Sequence, residues 1–183
     1  MRFPADDEER RKWQDPVKIL RAIGLQTGEI FVDVGCGEGF FSLPAARIVG
    51  PKGAVYGIDV NPASIDRLKQ AAEAEGLSHL HAIHGKGEST IVCPRCAQVV
   101  FFGICLHDFQ DPALVLSCAR AMIRDDGQLV DLDWKPEPTP IGPPLRIRFS
   151  VDRARGLLEE AGFAVRSVVD AGPWHYCIRA SPR

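Results

Sequence analysis

One segment constrains this chain more than any other: Phe31-Val-Asp-Val-Gly-Cys-Gly-Glu-Gly39, an apolar run that empties into glycines at alternate positions. Gly35, Gly37 and Gly39 lack Cβ atoms, so the backbone there is free to take positive φ and to approach a ligand closely. The residues that follow, Phe40-Phe-Ser-Leu, open a helical pattern whose first amides point toward the same crevice. A strand that turns into a helix through such glycines commits the chain to an α/β architecture.

The rest of the sequence agrees. Candidate strands lie at Ile30–Val34, Ala54–Val60, Leu80–His84, Gln98–Gly103, Gln128–Trp134, Ala164–Val169 and Trp174–Ala180. Between them run helical patterns near Phe41–Val49, Pro62–Glu75, Pro112–Arg124 and Val151–Ala161, after an opening helix near Pro16–Ile23. Asp15-Pro16, Asn61-Pro62 and Asp111-Pro112 each set a capping side chain before a proline suited to the first helical position. Gly76, Gly127 and Gly162 follow predicted helices and are expected to end them. Only Asp170–Pro173 separates the last two strands, too short for a crossover, so they form an antiparallel hairpin. The expected fold is a Rossmann-like, mostly parallel seven-stranded sheet with an antiparallel C-terminal hairpin and helices on both faces. Lys135–Pro144 carries five prolines and is loop, either a wall of the active site or a stiff surface connection.

At 183 residues the chain fits one domain, here 15–183, with 1–14 as an N-terminal tail or lid. A formal net charge of −2 gives no electrostatic reason to expect nucleic-acid binding. Met1–Trp13 is charged and lacks the apolar core of a signal peptide, and no run reaches the roughly 18 apolar residues of a membrane span. A cytoplasmic location with all six cysteines reduced is therefore expected.

An acid at the end of the second strand, Asp59 in Gly57-Ile-Asp59, suits the ribose hydroxyls of an adenosine-containing ligand. Two details choose the ligand. The spacing is G-x-G-x-G, not the G-x-G-x-x-G of dinucleotide binders, and no nicotinamide domain follows. Asp33, two residues before the first glycine, is placed to meet the amino group of an amino-acid tail, directly or through water. With G-I-D-V-N-P and F-F-G-I-C-L-H-D-F downstream, the segment V-D-V-G-C-G-E-G resembles class I S-adenosylmethionine-dependent methyltransferases, and within them the small UbiE-like methyltransferase-domain proteins. The resemblance runs from about Asp15 to the end. It implies a seven-stranded sheet with a reversed last strand. It also implies that Asp33, Gly35, Cys36, Gly37 and Gly39 surround the methionine moiety, Asp59 holds the ribose and Val60 packs beside adenine. Lys86 and Gly87 would edge the adenine through their backbone, Lys86 standing where many relatives have an acid. Gly103, at the end of the fourth strand, joins the same set. Gln98 also stands where relatives commonly open that strand with Asp.

Phe102–Phe109 leaves the sheet beside the expected sulfonium. His107 is either a general base or a residue that holds the loop or touches the cofactor. Asp108 either orients it or is a turn residue. Trp13 is a lid or one anchor of a charged tail, and Arg146 with Arg148 either face an anionic acceptor or are solvated. Cys93-Pro-Arg-Cys96 is read as incidental thiols, a redox pair or soft ligands, with no resident metal expected. The expected activity is methyl transfer from S-adenosylmethionine to a small-molecule acceptor, with a homodimer as the preferred assembly. The alternatives are a non-catalytic S-adenosylmethionine-binding protein, a macromolecular acceptor, and arsenite held by converging Cys93, Cys96 and Cys105.

Overall fold

The computed structural model describes residues 7–183, so the first six residues of the expected tail or lid lie outside it. The helices are α1 (Asp7–Arg11), α2 (Pro16–Ala22), α3 (Ser42–Val49), α4 (Pro62–Ala74), α5 (Pro112–Met122) and α6 (Val151–Glu160). The strands are β1 (Ile30–Val34), β2 (Ala54–Asp59), β3 (Leu80–His84), β4 (Ala97–Gly103), β5 (Ile123–Trp134), β6 (Phe163–Asp170) and β7 (His175–Pro182). They form one sheet in the order β3-β2-β1-β4-β5-β7-β6. The first five strands are parallel, and β7 lies antiparallel between β5 and β6. The chain moves outward from β1 through β2 to β3, then returns to β4. That reversal opens a crevice beyond the carboxyl ends of β1 and β4, where open α/β sheets bind ligands.

Period-two alternation divides each central strand between two cores. Phe31, Val55, Phe101, Val130 and Leu132 pack beneath α2, α3 and α4. Val32, Val34, Val100, Phe102, Leu129 and Ile178 pack beneath α5 and α6. The three Asx-Pro caps form as the sequence requires: Asp15 accepts from the Lys18 amide, Asn61 from Ala63 and Ser64, and Asp111 from Leu114. Gln98 accounts for its own identity, because its Oε1 accepts the Ile30 amide at 2.8 Å and ties the start of β1 to β4.

One boundary differs from the sequence reading. Gly76 and Gly162 end their helices with positive φ, but Gly127 does not. Helix α5 stops at Met122, and β5 begins at Ile123, paired with Ala97. The Arg95 and Cys96 amides donate to the carbonyls of Ala121 and Met122, so β4's approach captures the helix end. Gly127 lies within β5 at a register shift, where a Cβ would fall 2.8 Å from the Ala97 carbonyl oxygen. Its glycine serves close strand packing instead of a helix stop.

Phe101 joins strand, helix and turn: its ring lies 5.6 Å from that of Phe31 and 4.7 Å from that of Phe41, which precedes α3. Truncation of this fully buried ring is expected to cost about 3–5 kcal/mol. Urea unfolding of Phe101→Ala checks this; a midpoint within error of the parent would show that the site collapses without loss.

Candidate active site

The glycine turn is clamped to the neighbouring strand before any ligand is considered. The Gly35 and Cys36 amides both donate to the Ile58 carbonyl, at 2.8 and 3.0 Å. Gly35 has φ +77°, and a Cβ there would lie 2.8 Å from Cys105 Sγ, so position and conformation both require glycine. Asp59 closes the arrangement. Its Oδ2 accepts the Gly37 amide and its Oδ1 the Asn61 amide, each at 2.8 Å. A carboxylate offers about four acceptor sites. Two remain for hydroxyl donors on the crevice side.

The crevice has a volume of about 510 Å³. Gly35, Asp59, Val60, Lys86, Gly87 and Asp108, all expected from the sequence, line it. Cys105, Phe109 and Gln110 line it too and were not singled out as cofactor-binding residues, Cys105 having been considered only for arsenite. The signal for them was the loop's position after β4, not their chemistry.

The remaining expected residues stand behind the lining. Gly37 and Gly39 shape the turn. The Cys36 sulfur is turned inward, 3.0 Å from where a Gly57 Cβ would stand. Gly103 faces Phe41 in the core, with 2.8 Å to the position of a Cβ. The Cys36 side chain is thus buried in the turn beyond β1, and Gly103, at the end of β4, has only backbone to present. Asp33 is 1% exposed and accepts a 2.6 Å hydrogen bond from Ser42 Oγ. Burial pushes its carboxyl up to about 7, against the opposing pull of the Ser42 bond and the Arg10 charge.

Beyond β4 the backbone bends sharply. Ile104, a β-branched residue, has φ +61° while its amide donates to the Leu132 carbonyl at 2.6 Å. This strained residue turns the chain into a short 3-10 turn, Leu106–Asp108. His107 is thereby buried, with Nδ1 2.7 Å from Asp133 Oδ1 and 2.9 Å from Oδ2. Its Nε2 lies 3.4 Å from Asp108 Oδ1. Asp133 was invisible as a partner from sequence, since it stands 26 residues away on β5. Asp131, two residues earlier on that strand, is fully buried with neither carboxyl oxygen partnered.

The Lys135–Pro144 loop is held from inside by Arg148. Its guanidinium donates to the carbonyls of Pro143, Lys135, Glu137 and Ile141 and to the Thr139 hydroxyl. It also sits 5.0 Å from the centre of the Trp134 ring. Arg146 is exposed, as the solvated alternative has it, whereas Arg148 is buried, so the two neither face an anion together nor share one environment. Trp13 is no lid over the crevice. It packs against Trp134, Trp174 and His175, drawn there by an aromatic cluster at the start of β7.

The cysteine expectations also change. Cys93 and Cys96 are joined in a disulfide, not free thiols; Arg95, with φ 49°, folds the segment back on itself. Cys96 precedes β4 and Cys105 follows it. Seven strand residues separate these ends by roughly 20 Å. The three sulfurs therefore do not converge, which removes the geometric basis for holding arsenite, and the pair is not at the crevice rim. Among the described residues no group of three His, Cys, Asp or Glu side chains is placed to hold a metal ion, and no helix is long and apolar enough to cross a membrane.

Residues 25–138 match the protein family described as "Methyltransferase domain". Among curated relatives, the chain is 29% identical over 131 residues to the demethylmenaquinone methyltransferase of Geobacillus kaustophilus, covering 72% of this chain and 55% of that one. It is 25% identical over 126 residues to the enzyme of the same name from Bacillus subtilis, covering 69% and 53%. The chain thus spans about half the length of the curated relatives it matches. Among solved structures, a SAM-dependent methyltransferase from Aquifex aeolicus superposes with a TM-score of 0.91 at 26% identity, over 100% of both chains.

Asp33 generates a prediction of defined sign. Because its folded pKa is raised from 3.8 to about 7, its contribution to stability is complete below pH 3.8 and is lost as the pH climbs toward 7. Asp33→Asn keeps an acceptor for Ser42 and carries no charge. Relative to the parent it is expected to gain on the order of 4 kcal/mol between pH 4 and pH 8. Urea unfolding at stepped pH measures the difference; parallel stability curves would refute it.

Proposed function

The chain belongs to the class I methyltransferase-domain family, and from that premise we propose that it binds S-adenosylmethionine in the crevice beyond β1 and β4 and methylates a small molecule. The observation that carries this reading is Asp59, whose two oxygens are fixed by the Gly37 and Asn61 amides while acceptor sites remain toward the crevice. The volume of about 510 Å³ lies within the roughly 300–1,000 Å³ of small-ligand sites. The donor, once bound, supplies a methyl group already activated on a sulfonium.

Everything else falls to the protein. Asp59 accepts from the ribose hydroxyls. Val60 is 60% exposed at the crevice wall, an apolar surface left for the adenine ring. Lys86, Gly87, Cys105 and Asp108 complete the lining. Asp33 lies directly behind the glycine turn and favours a cationic amino group there. The chemistry needs alignment and exclusion of water more than it needs reactive side chains. The Lys135–Pro144 loop, fastened by Arg148, is the acceptor wall in this reading. The curated relatives are named for demethylmenaquinone, so a hydroxylated aromatic ring is the acceptor class to try first.

Calorimetry with S-adenosylmethionine and S-adenosylhomocysteine tests the binding half. Asp59→Ala is expected to weaken both by about 1.5–3 kcal/mol, roughly ten- to 150-fold. Unchanged affinity would remove Asp59 from the site. Conversion to S-adenosylhomocysteine with a panel of hydroxylated aromatics tests the second half; tight binding without turnover would favour a non-catalytic binding protein.

A further inference from the structure

We propose that Asp133 is the positioning residue of a His107–Asp133 dyad that removes a proton from the acceptor, which selects acceptors whose methylated oxygen or carbon gives up a proton during transfer. The inference deepens the methyltransferase reading and rests on it. Its first support is the geometry of two carboxyls on one strand. Asp131 and Asp133 are alternate residues of β5, so they face the same side of the sheet, and both are fully buried. Burial and mutual repulsion make it costly for both to ionise. Their partners decide which one does. Asp133 accepts from the Trp134 amide at 2.7 Å and is in contact with His107 Nδ1 through both oxygens. Asp131 has no donor on either oxygen. Burial, with Asp133 beside it, drives Asp131 well up into the neutral form. The charge therefore sits on Asp133.

A charged Asp133 fixes the imidazole. Nδ1 must donate to it, so the neutral ring carries its lone pair on Nε2. That nitrogen lies 3.4 Å from Asp108, which lines the crevice and is 63% exposed at its side chain; the His107 side chain is 2% exposed, so an acceptor reaches Nε2 past Asp108. The groups facing His107 are Asp133 from β5, Asp108 from its own turn and Arg148 from the segment before α6, with Asp131 and Tyr176 behind Asp133. Burial alone would lower the imidazole pKa; the Asp133 bond and charge and the Asp108 charge outweigh burial and Arg148, and the net shift is upward. The result is a base stronger than free imidazole, held by a strained backbone at Ile104 beside the crevice.

In the step, Nε2 takes the proton from the acceptor's O–H or C–H. The electron pair left on that atom forms the bond to the methyl carbon, the carbon–sulfur pair stays on sulfur, and the imidazolium then passes its proton to water. A thiolate acceptor would have no use for such a base.

Full-length protein labelled with ¹⁵N-histidine gives a direct test, with His107 assigned by its loss in His107→Gln. The neutral His107 ring is expected to carry its hydrogen on Nδ1 and to titrate above 6.5. Asp133→Asn is expected to lower the midpoint by about one pH unit or more, while Asp131→Asn, which replaces an already neutral group, moves it by only about a few tenths. The acid limb of kcat/KM should follow the same order. A neutral ring with its hydrogen on Nε2, an Asp133→Asn midpoint equal to the parent's, or an equal shift in Asp131→Asn overturns the proposal. Should Asp133→Asn fail to fold, the parent's tautomer alone decides. Calorimetry with S-adenosylhomocysteine on the same samples keeps the two readings apart: absent binding defeats the methyltransferase reading whatever the titration shows.

Discussion

The Asp59 carboxylate is the joint on which the site depends. It takes one amide from the glycine turn after β1 and one from the loop that opens α4, so two neighbouring strand ends are held at a fixed separation. The same residue presents acceptors to the crevice. One side chain thus both fixes the turn and lines the crevice. The amides of Gly35 and Cys36 on the Ile58 carbonyl reinforce the joint from the backbone.

Around that joint, four aspartates near the carboxyl ends of the strands differ in the donors they meet. Asp59 has two amides and partial exposure. Asp33 has a single hydroxyl and full burial, and sits near the midpoint of its titration at neutral pH. Asp133 has an amide and an imidazole, while Asp131 has nothing. Sequence treats these residues as equivalent. Burial raises the carboxyls of Asp33 and Asp131, while Asp59 and Asp133 are each held by two hydrogen-bonding partners.

Much of the fold could be read from the chain because local chemistry and tertiary demand coincide there. The apolar runs of β1 and β4, the three Asx-Pro caps and the four-residue link between the last strands each specify structure by short-range rules. Gly127 broke the pattern, since a glycine serves equally well to stop a helix and to admit a neighbouring carbonyl. Of the site, the glycine turn and Asp59 were legible because backbone conformation and ligand approach both require them. The burial of the Cys36 side chain was not, since it depends on how the turn packs against β2 and α4. The partnership of His107 with Asp133 crosses between β4 and β5, and no local pattern encodes such a pairing. Arg148 was misjudged for a related reason: its partners are carbonyls, which every residue has.

Arg148 nevertheless sets a property of the whole Lys135–Pro144 loop. It fastens the proline-rich segment through four main-chain oxygens, and only Thr139 contributes a side chain. A scaffold secured in this way is indifferent to most of the side chains it displays. Exposed positions along 135–147, apart from Thr139 and Gly142, can therefore change identity while the scaffold keeps its outline, which gives evolution, or an engineer, a surface to rewrite without refolding the protein.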